Sequence, residues 1–333
     1  MGFRFFKRMQ VIPGITLNFS KSGVSTSFGP KGLKYTVGPK GTRYTAGIPG
    51  TGLYYTTTKG PGKNKRATAS PASPPEMGFL QRLTLTNDEK ILLQGFEKLG
   101  KGDTSGASVI FQSSNCTDCR FMSGFLAIGR DQYAEAEQFL LQARSPDLGT
   151  MVTKIGGEFE LLLDITEYIE APIGVDDRGW SLCMVEALQG QEKYGEAVEI
   201  INDEWEKNVQ DKVICLSLTE LVAMSQNASA QELKDIVKMT QDVENSEPID
   251  TNILYLRAYV LYRLNLVDAG TSQLTSIIRK AKDRPEELMM DIRYLRGQMY
   301  EENGEGAKAK KDYQQIYSQK PTYGDVASKL DLN

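Results

Sequence analysis

Glycine returns every nine residues near the start of the chain. In GPKGLKYTVGPKGTRYTAGIPGTG, residues 29–52, Gly29, Gly38 and Gly47 are nine apart, Gly32, Gly41 and Gly50 repeat the interval, and Tyr35 and Tyr44 share it. The period is one strand plus one turn. Each Gly-Pro-Lys-Gly presets φ at proline and accepts positive φ at glycine, so the chain can reverse there. Between the turns, LKYTV, TRYTA and LYYTT are rich in residues that suit a pleated, half-buried surface. Upstream, ITLNFSK and VSTSF flank Ser22-Gly23, a hairpin signal. Residues 1–57 are therefore expected to form a β-meander of about five short strands.

Alternation along a strand places Leu33, Tyr35 and Val37 on one face beside Thr42, Tyr44 and Ala46. Lys34, Thr36, Arg43 and Thr45 fall on the other. A sheet of about sixty residues with few large aliphatics has a thin core and exposed edges, and small isolated sheets are marginal. Such a module needs a partner. Lys31, Lys34, Lys40 and Arg43, with Tyr35 and Tyr44, are its candidate partner-binding residues.

The charge is divided along the chain. Residues 1–75 hold twelve Lys or Arg and no Asp or Glu, which leaves 27 basic against 43 acidic residues for the remainder, a balance of −16. Opposite signs on two segments point to an anionic partner or an electrostatic interface.

The pieces Gly2 to Phe5 (GFRF), Leu17 to Gly23 (LNFSKSG) and Gly47 to Tyr55 (GIPGTGLYY) together resemble the bacterial and phage N-terminal module called domain-of-unknown-function family 4236. The resemblance covers about a sixth of the chain. It implies no activity, but such modules are fused to other domains, which implies an accessory or assembly role.

Residues 58–78 are poor in apolar side chains and rich in Gly, Pro, Ser and Lys. Such a stretch buries no core and is expected to be a flexible linker. Lys63, Lys65 and Arg66 fit a solvated tether better than a docking site.

From residue 79 to 333 the pattern becomes helical. Thr86 and Glu89 have the spacing of a capping box. Two passages then align: GRDQYAEAEQFLLQA from Gly129 and GQEKYGEAVEIINDE from Gly190, which place Tyr133 with Ala136 and Tyr194 with Ala197. In the last unit Gly297, Tyr300, Gly304, Ala309, Tyr313 and Pro321 fall at the spacing of tetratricopeptide repeats, so the region resembles a tetratricopeptide-like α-solenoid. A small residue lets two antiparallel helices approach and an aromatic fills the gap beside it. About four pairs are expected, with diverged helices at 151–170 and 231–244 and an additional hairpin in the 61-residue interval between Gly129 and Gly190. Around LYLRAYVLYRLNLVDAG, Leu264 stands where glycine is expected.

The fold class that follows is α+β and multidomain: a small N-terminal β-meander joined by a flexible linker to an all-α, tetratricopeptide-like solenoid.

Chemistry-bearing motifs are few. The chain has no histidine, which removes the commonest general base and most zinc sites. Cys116 and Cys119 form one Cys-x-x-Cys, but Cys183 and Cys215 sit in separate apolar helical patterns, so ordinary helix-start cysteines are expected rather than zinc or thiol chemistry. Asp176 and Asp177 are expected in a solvated loop. Gly-Pro-Lys-Gly matches neither a phosphate loop nor a dinucleotide fingerprint. Four cysteines suit a reduced interior, and no run reaches the ~18 to 20 apolar residues of a membrane span, so a cytoplasmic protein is expected.

No enzyme, cofactor or metal is expected. The function expected is an assembly or adaptor protein, whose helical repeats bind a protein partner and whose basic strands drive self-association into a homo-oligomer, as ring or filament. The alternative is nucleic-acid binding by the basic N-terminus. A third reading, contact with anionic membrane surfaces, rests on the same cations plus Phe3, Phe5 and Phe6.

Overall fold

The computed structural model describes residues 85–100, 102–155 and 161–332, together with the backbone of six strand segments between Lys7 and Lys59. The segments are β1 (Lys7–Ile12), β2 (Ile15–Ser20), β3 (Gly23–Phe28), β4 (Leu33–Gly38), β5 (Gly41–Ile48) and β6 (Leu53–Lys59), each antiparallel to the next. Between β4 and β5, Tyr35 stands opposite Tyr44, Lys34 opposite Thr45, and Thr36 opposite Arg43. Lys31, Lys40 and residues 60–78 of the expected linker lie outside the described residues, whereas Thr58 and Lys59 are the last residues of β6.

The chain forms two compact units, Met1–Ile200 and Ile201–Asn333. In the first, α1 (Asn87–Gly100) pairs with α2 (Thr104–Gln112) and α3 (Thr117–Ile128) with α4 (Tyr133–Ala143). Then come the short α5 (Thr150–Lys154), a two-stranded hairpin of β7 (Leu161–Asp164) and β8 (Glu170–Ile173), and α6 (Asp177–Gln189), which packs on α3 and α4. Helix α7 (Tyr194–Lys207) follows α6 in the chain.

The expected helix over 151–170 is not found: among the described residues of that span only those of Thr150–Lys154 are helical, and Leu161–Asp164 and Glu170–Ile173 are strands of a hairpin. Leu161, Leu162 and Leu163 are buried in succession, so both faces of β7 are covered. A short continuous apolar run fits a buried strand as well as a helix by periodicity, and Pro172 in the segment after it removes the helical alternative. Leu161 pairs with Ile173 and Asp164 with Glu170. The helix expected at 231–244 also ends early, at Met239.

The second unit continues with α8 (Lys212–Met224), α9 (Ala230–Met239), α10 (Pro248–Arg263), α11 (Val267–Arg279), α12 (Glu286–Glu302), α13 (Gly306–Gln319) and α14 (Val326–Lys329). Consecutive helices pack together, and α8 touches α10 as α10 touches α12. That neighbour-only pattern is the mark of a helical repeat stack. At its end Met290, Ala309, Tyr313, Ile316, Val326 and Leu330 form one cluster, with Tyr294, Tyr300, Tyr317 and Tyr323 around it.

Helix starts follow local chemistry. Thr86 N–H donates to Glu89 Oε2 at 2.8 Å and Glu89 N–H to Thr86 Oγ1 at 3.3 Å, the capping box expected before α1. Ser229 and Glu232 repeat it at α9. Asp176 is exposed and precedes the helix, as expected of a loop residue, and it also caps α6, accepting from Gly179 N–H at 2.7 Å; Asp177, likewise exposed, is the first helical residue.

Candidate functional site

The helix pairs share one residue register. A small or slender residue on the first helix is followed seven positions later by a residue with positive φ, twelve later by a small one and sixteen later by a large one. The sets are Gly95, Gly102, Ala107, Phe111; Gly124, Asp131, Ala136, Leu140; Val185, Glu192, Ala197, Ile201; Ala258, Asn265, Gly270, Leu274; and Gly297, Gly304, Ala309, Tyr313. The turn residues have φ of 77°, 60°, 62°, 62° and 72° in that order, and the other members of every set are buried.

Contact explains the register. A Cβ added at Gly297 would lie 2.6 Å from Tyr313 Cε1, and one at Gly124 would lie 2.7 Å from Leu140 Cγ and 3.2 Å from the Ala136 carbonyl oxygen. At Gly95 it would collide with the Phe111 ring. One added at Gly270 would meet the Ala258 carbonyl at 3.0 Å. Gly297, Ala309 and Tyr313 thus meet in one packing site, and Gly304 supplies its turn.

Other residues singled out from sequence lie elsewhere. Ala136 and Ala197 are fully buried, whereas Tyr133, Tyr194 and Tyr300 are half-buried and Pro321 is exposed. The ring of Tyr133 fills the space a side chain at Gly190 would need, and its hydroxyl donates to Asp131 Oδ1 at 2.8 Å. Gly129 and Gly190, aligned as turn glycines, are right-handed C-caps of α3 and α6; the turns are made two residues later, by Asp131 and Glu192. Likewise Leu264 does not stand in for the missing glycine; the left-handed residue is Asn265. The sets built on Gly95, Gly124 and Ala258 escaped the sequence reading, although the interval of sixteen was available to find them.

On α10, Tyr255, Tyr259 and Tyr262 follow at i, i+4 and i+7, one half-buried face of the helix. The Tyr259 and Tyr262 ring centroids are 6.4 Å apart. A hydrogen bond with Glu302 raises the Tyr262 hydroxyl above its ordinary range. Beside them, Arg263 Nη1 donates to the carbonyls of Val222 and Ala223 at 3.0 and 2.9 Å, satisfying the C-terminal end of α8. On α12, Tyr294 lies 5.9 Å from Tyr313 and 5.8 Å from Tyr323, ring to ring, and donates to Asp325 Oδ1 at 2.6 Å.

The buried carboxylates serve the fold. Asp118 accepts from Gly149 and Val152 N–H at 2.7 and 2.8 Å, Asp250 pairs with Lys212 at 2.8 Å, and Asp312 accepts from Arg296 Nε and Nη2 at 2.8 and 2.7 Å. Among the described residues no three Cys, Asp or Glu gather as a metal site. Cys183 and Cys215 are buried in α6 and α8, and burial pushes both thiols up.

Residues 3–56 match the family model described as "Protein of unknown function (DUF4236)". No curated protein matches the chain. The helical region is similar to solved tetratricopeptide structures. TTC0263, a thermophilic TPR protein of Thermus thermophilus, is 13% identical, covering 65% of this chain and 97% of its own at a TM-score of 0.41. MamA from MSR-1 is 12% identical, with 65% and 98% covered and a TM-score of 0.41. YrrB, a TPR protein with an unusual peptide-binding site, is 13% identical, with 67% and 95% covered and a TM-score of 0.42.

Proposed function

We propose that this chain is a non-catalytic assembly protein, in which residues 79–333 hold a protein partner and residues 1–57, tethered by 58–78, join chains together through a basic β-meander. The shared register of the helix pairs supports the first half, and the half-buried tyrosines of α10 and α12 are suited to anchoring a partner. Charge supports the second. Residues 76–200 carry 21 acidic against 10 basic side chains and 201–333 carry 22 against 17, so most of the negative balance belongs to the segment directly after the linker. From Glu158 to Asp177 there are seven acidic residues and no basic one. The N-terminal segment of one chain, with its twelve cations, suits that acidic stretch on another, and such head-to-tail contacts give rings or filaments. A cytoplasmic location fits the four cysteines, none of them in a disulfide.

Light scattering on the full chain tests the self-association. The expected result is a multi-chain mass at low salt that falls as salt rises and is lost when Lys34 and Arg43 are both replaced by Glu. A monomer across a wide concentration range at low salt overturns it. The twelve N-terminal cations also favour nucleic-acid binding, as a second reading. Salt-sensitive retention of single-stranded DNA by the full chain, lost in the same charge reversal, would establish that reading instead.

A further inference from the structure

The tertiary structure gives the Cys-x-x-Cys at the start of α3 a division of labour that the sequence does not reveal. Cys116 is the N-cap, with extended backbone at φ −66° and ψ 149°, and it is part-exposed; Cys119, in the first turn, is fully buried. The Cys116 sulfur accepts the Cys119 backbone N–H at 3.4 Å, so it turns inward over the end of the helix. Ser114 fixes the approach: its Oγ accepts from Cys116 N–H at 3.1 Å and donates to Asp88 Oδ1 on α1 at 2.7 Å.

We propose that Cys116 and Cys119 are a redox-active dithiol, with Cys116 as the attacking thiol and Cys119 as the resolving one, which is oxidised by a small-molecule disulfide and reduced again by a dithiol. Three features of the fold support the assignment. Cys116 is a part-exposed residue, Cys119 is fully buried, and the N-terminal turn of α3 offers N–H groups and its positive dipole end to a thiolate at position 116. The thiol of Cys119, donating to Cys116, is the main influence holding Cys116 below the ordinary thiol range, at about 6, while the same interaction and burial push Cys119 up. Asp88 opposes the depression at Cys116 but does not cancel it. Cys183 and Cys215, buried and raised, stand as internal controls.

The chemistry balances. Cys116 thiolate attacks one sulfur of the small disulfide, forming a mixed disulfide and expelling one thiolate. That step removes the negative charge beside Cys119, so the second proton leaves more readily. Cys119 thiolate then attacks the Cys116 sulfur and expels the second small thiol. One disulfide is reduced to two thiols, one intramolecular disulfide forms, and the two protons of the dithiol pass to the products.

The experiment uses the full chain, native, in buffers of oxidised and reduced glutathione, with peptide mass spectrometry as readout. The expected result is a Cys116–Cys119 disulfide in oxidising buffer, reversed by a dithiol, with Cys183 and Cys215 still reduced. In Cys119→Ser, glutathione should remain trapped on Cys116. Iodoacetamide should label Cys116 at about pH 7 at least roughly tenfold faster than Cys183 or Cys215, with an inflection below that of a free cysteine peptide. Failure to form the 116–119 bond while the protein stays folded overturns the proposal. So does a Cys116 that labels no faster than the buried pair, or a Cys119→Ser chain that traps no glutathione.

Discussion

The ring of Tyr313 occupies the space that a side chain at Gly297 would fill: a Cβ there would fall 2.6 Å from Cε1 and 2.9 Å from Cζ. The two residues are sixteen apart, one on each helix of the last full pair, and Ala309 between them is fully buried. The closeness of α12 and α13 is thus set by an absent methyl group.

Gly297→Ala is expected to destabilise the chain by ~1–3 kcal/mol through overpacking, since neither the ring nor the helix backbone has room to retreat. Tyr313→Leu alone should also cost stability, by leaving a cavity. Combined, the two should cost less than their sum, because the smaller residue makes room for the methyl. Urea unfolding of the four proteins measures the coupling; strict additivity would show that the pair does not set the helix spacing.

Glu192 and Asn265 hold left-handed turns at φ of 62° in both cases. A residue with a Cβ is strained there by ~1–2 kcal/mol, whereas glycine loses roughly 0.5–1 kcal/mol of chain entropy, so Glu192→Gly should leave the melting temperature unchanged or raise it. Asn265→Val should lower it, because a β-branched residue tolerates positive φ worst. Thermal melts followed by circular dichroism decide the matter, and a Val variant as stable as the parent would refute the turn assignment.

Asp118 is wholly buried and accepts from two backbone amides 31 and 34 residues further along the chain. Asp118→Ala strands both donors and should cost ~2–4 kcal/mol, summing about 1–3 for each unsatisfied amide against partial relief by water. Protection of the Gly149 and Val152 amides in hydrogen exchange should fall with it. Unchanged protection would place the stabilisation elsewhere.

Among the described residues three glutamates lie below their ordinary value of 4.5: Glu89 through a hydrogen bond from Lys154, Glu137 through one from Lys193, and Glu232 through one from Ser229. A depressed folded value means that the unfolded chain binds the proton more tightly. The stabilisation is therefore complete above the unfolded value and lost as pH falls through the folded one. Melting temperature should decline as pH drops below about 4.5, and changing all three to Gln should flatten that decline. A profile of equal slope in the triple variant would assign acid sensitivity to other groups.

Much of the helical region was legible in the chain, because the last repeat keeps Gly297, Gly304 and Tyr313, residues whose size or backbone freedom is itself the signal. Where the same places hold Val185, Asp131 or Asn265, the geometry persists and the letters do not. The aligned pair at Gly129 and Gly190 drew attention to glycines that end helices, two residues short of the turns. The strands at Leu161–Asp164 and Glu170–Ile173 were hidden for another reason: an apolar run buried on both faces has no period to distinguish strand from helix.

Sequence alone determined the segregation of charge, the capping chemistry of Thr86 with Glu89, and the small-to-large spacing of the final pair, since each depends on residues near one another along the chain. Tertiary structure decided which glycines pack and which turn, and that of two cysteines three residues apart one is part-exposed and the other buried. Those outcomes depend on what lies across the gap between helices. That distance is fixed by the shapes of residues sixteen or more positions away, so no local stretch of the chain contains it.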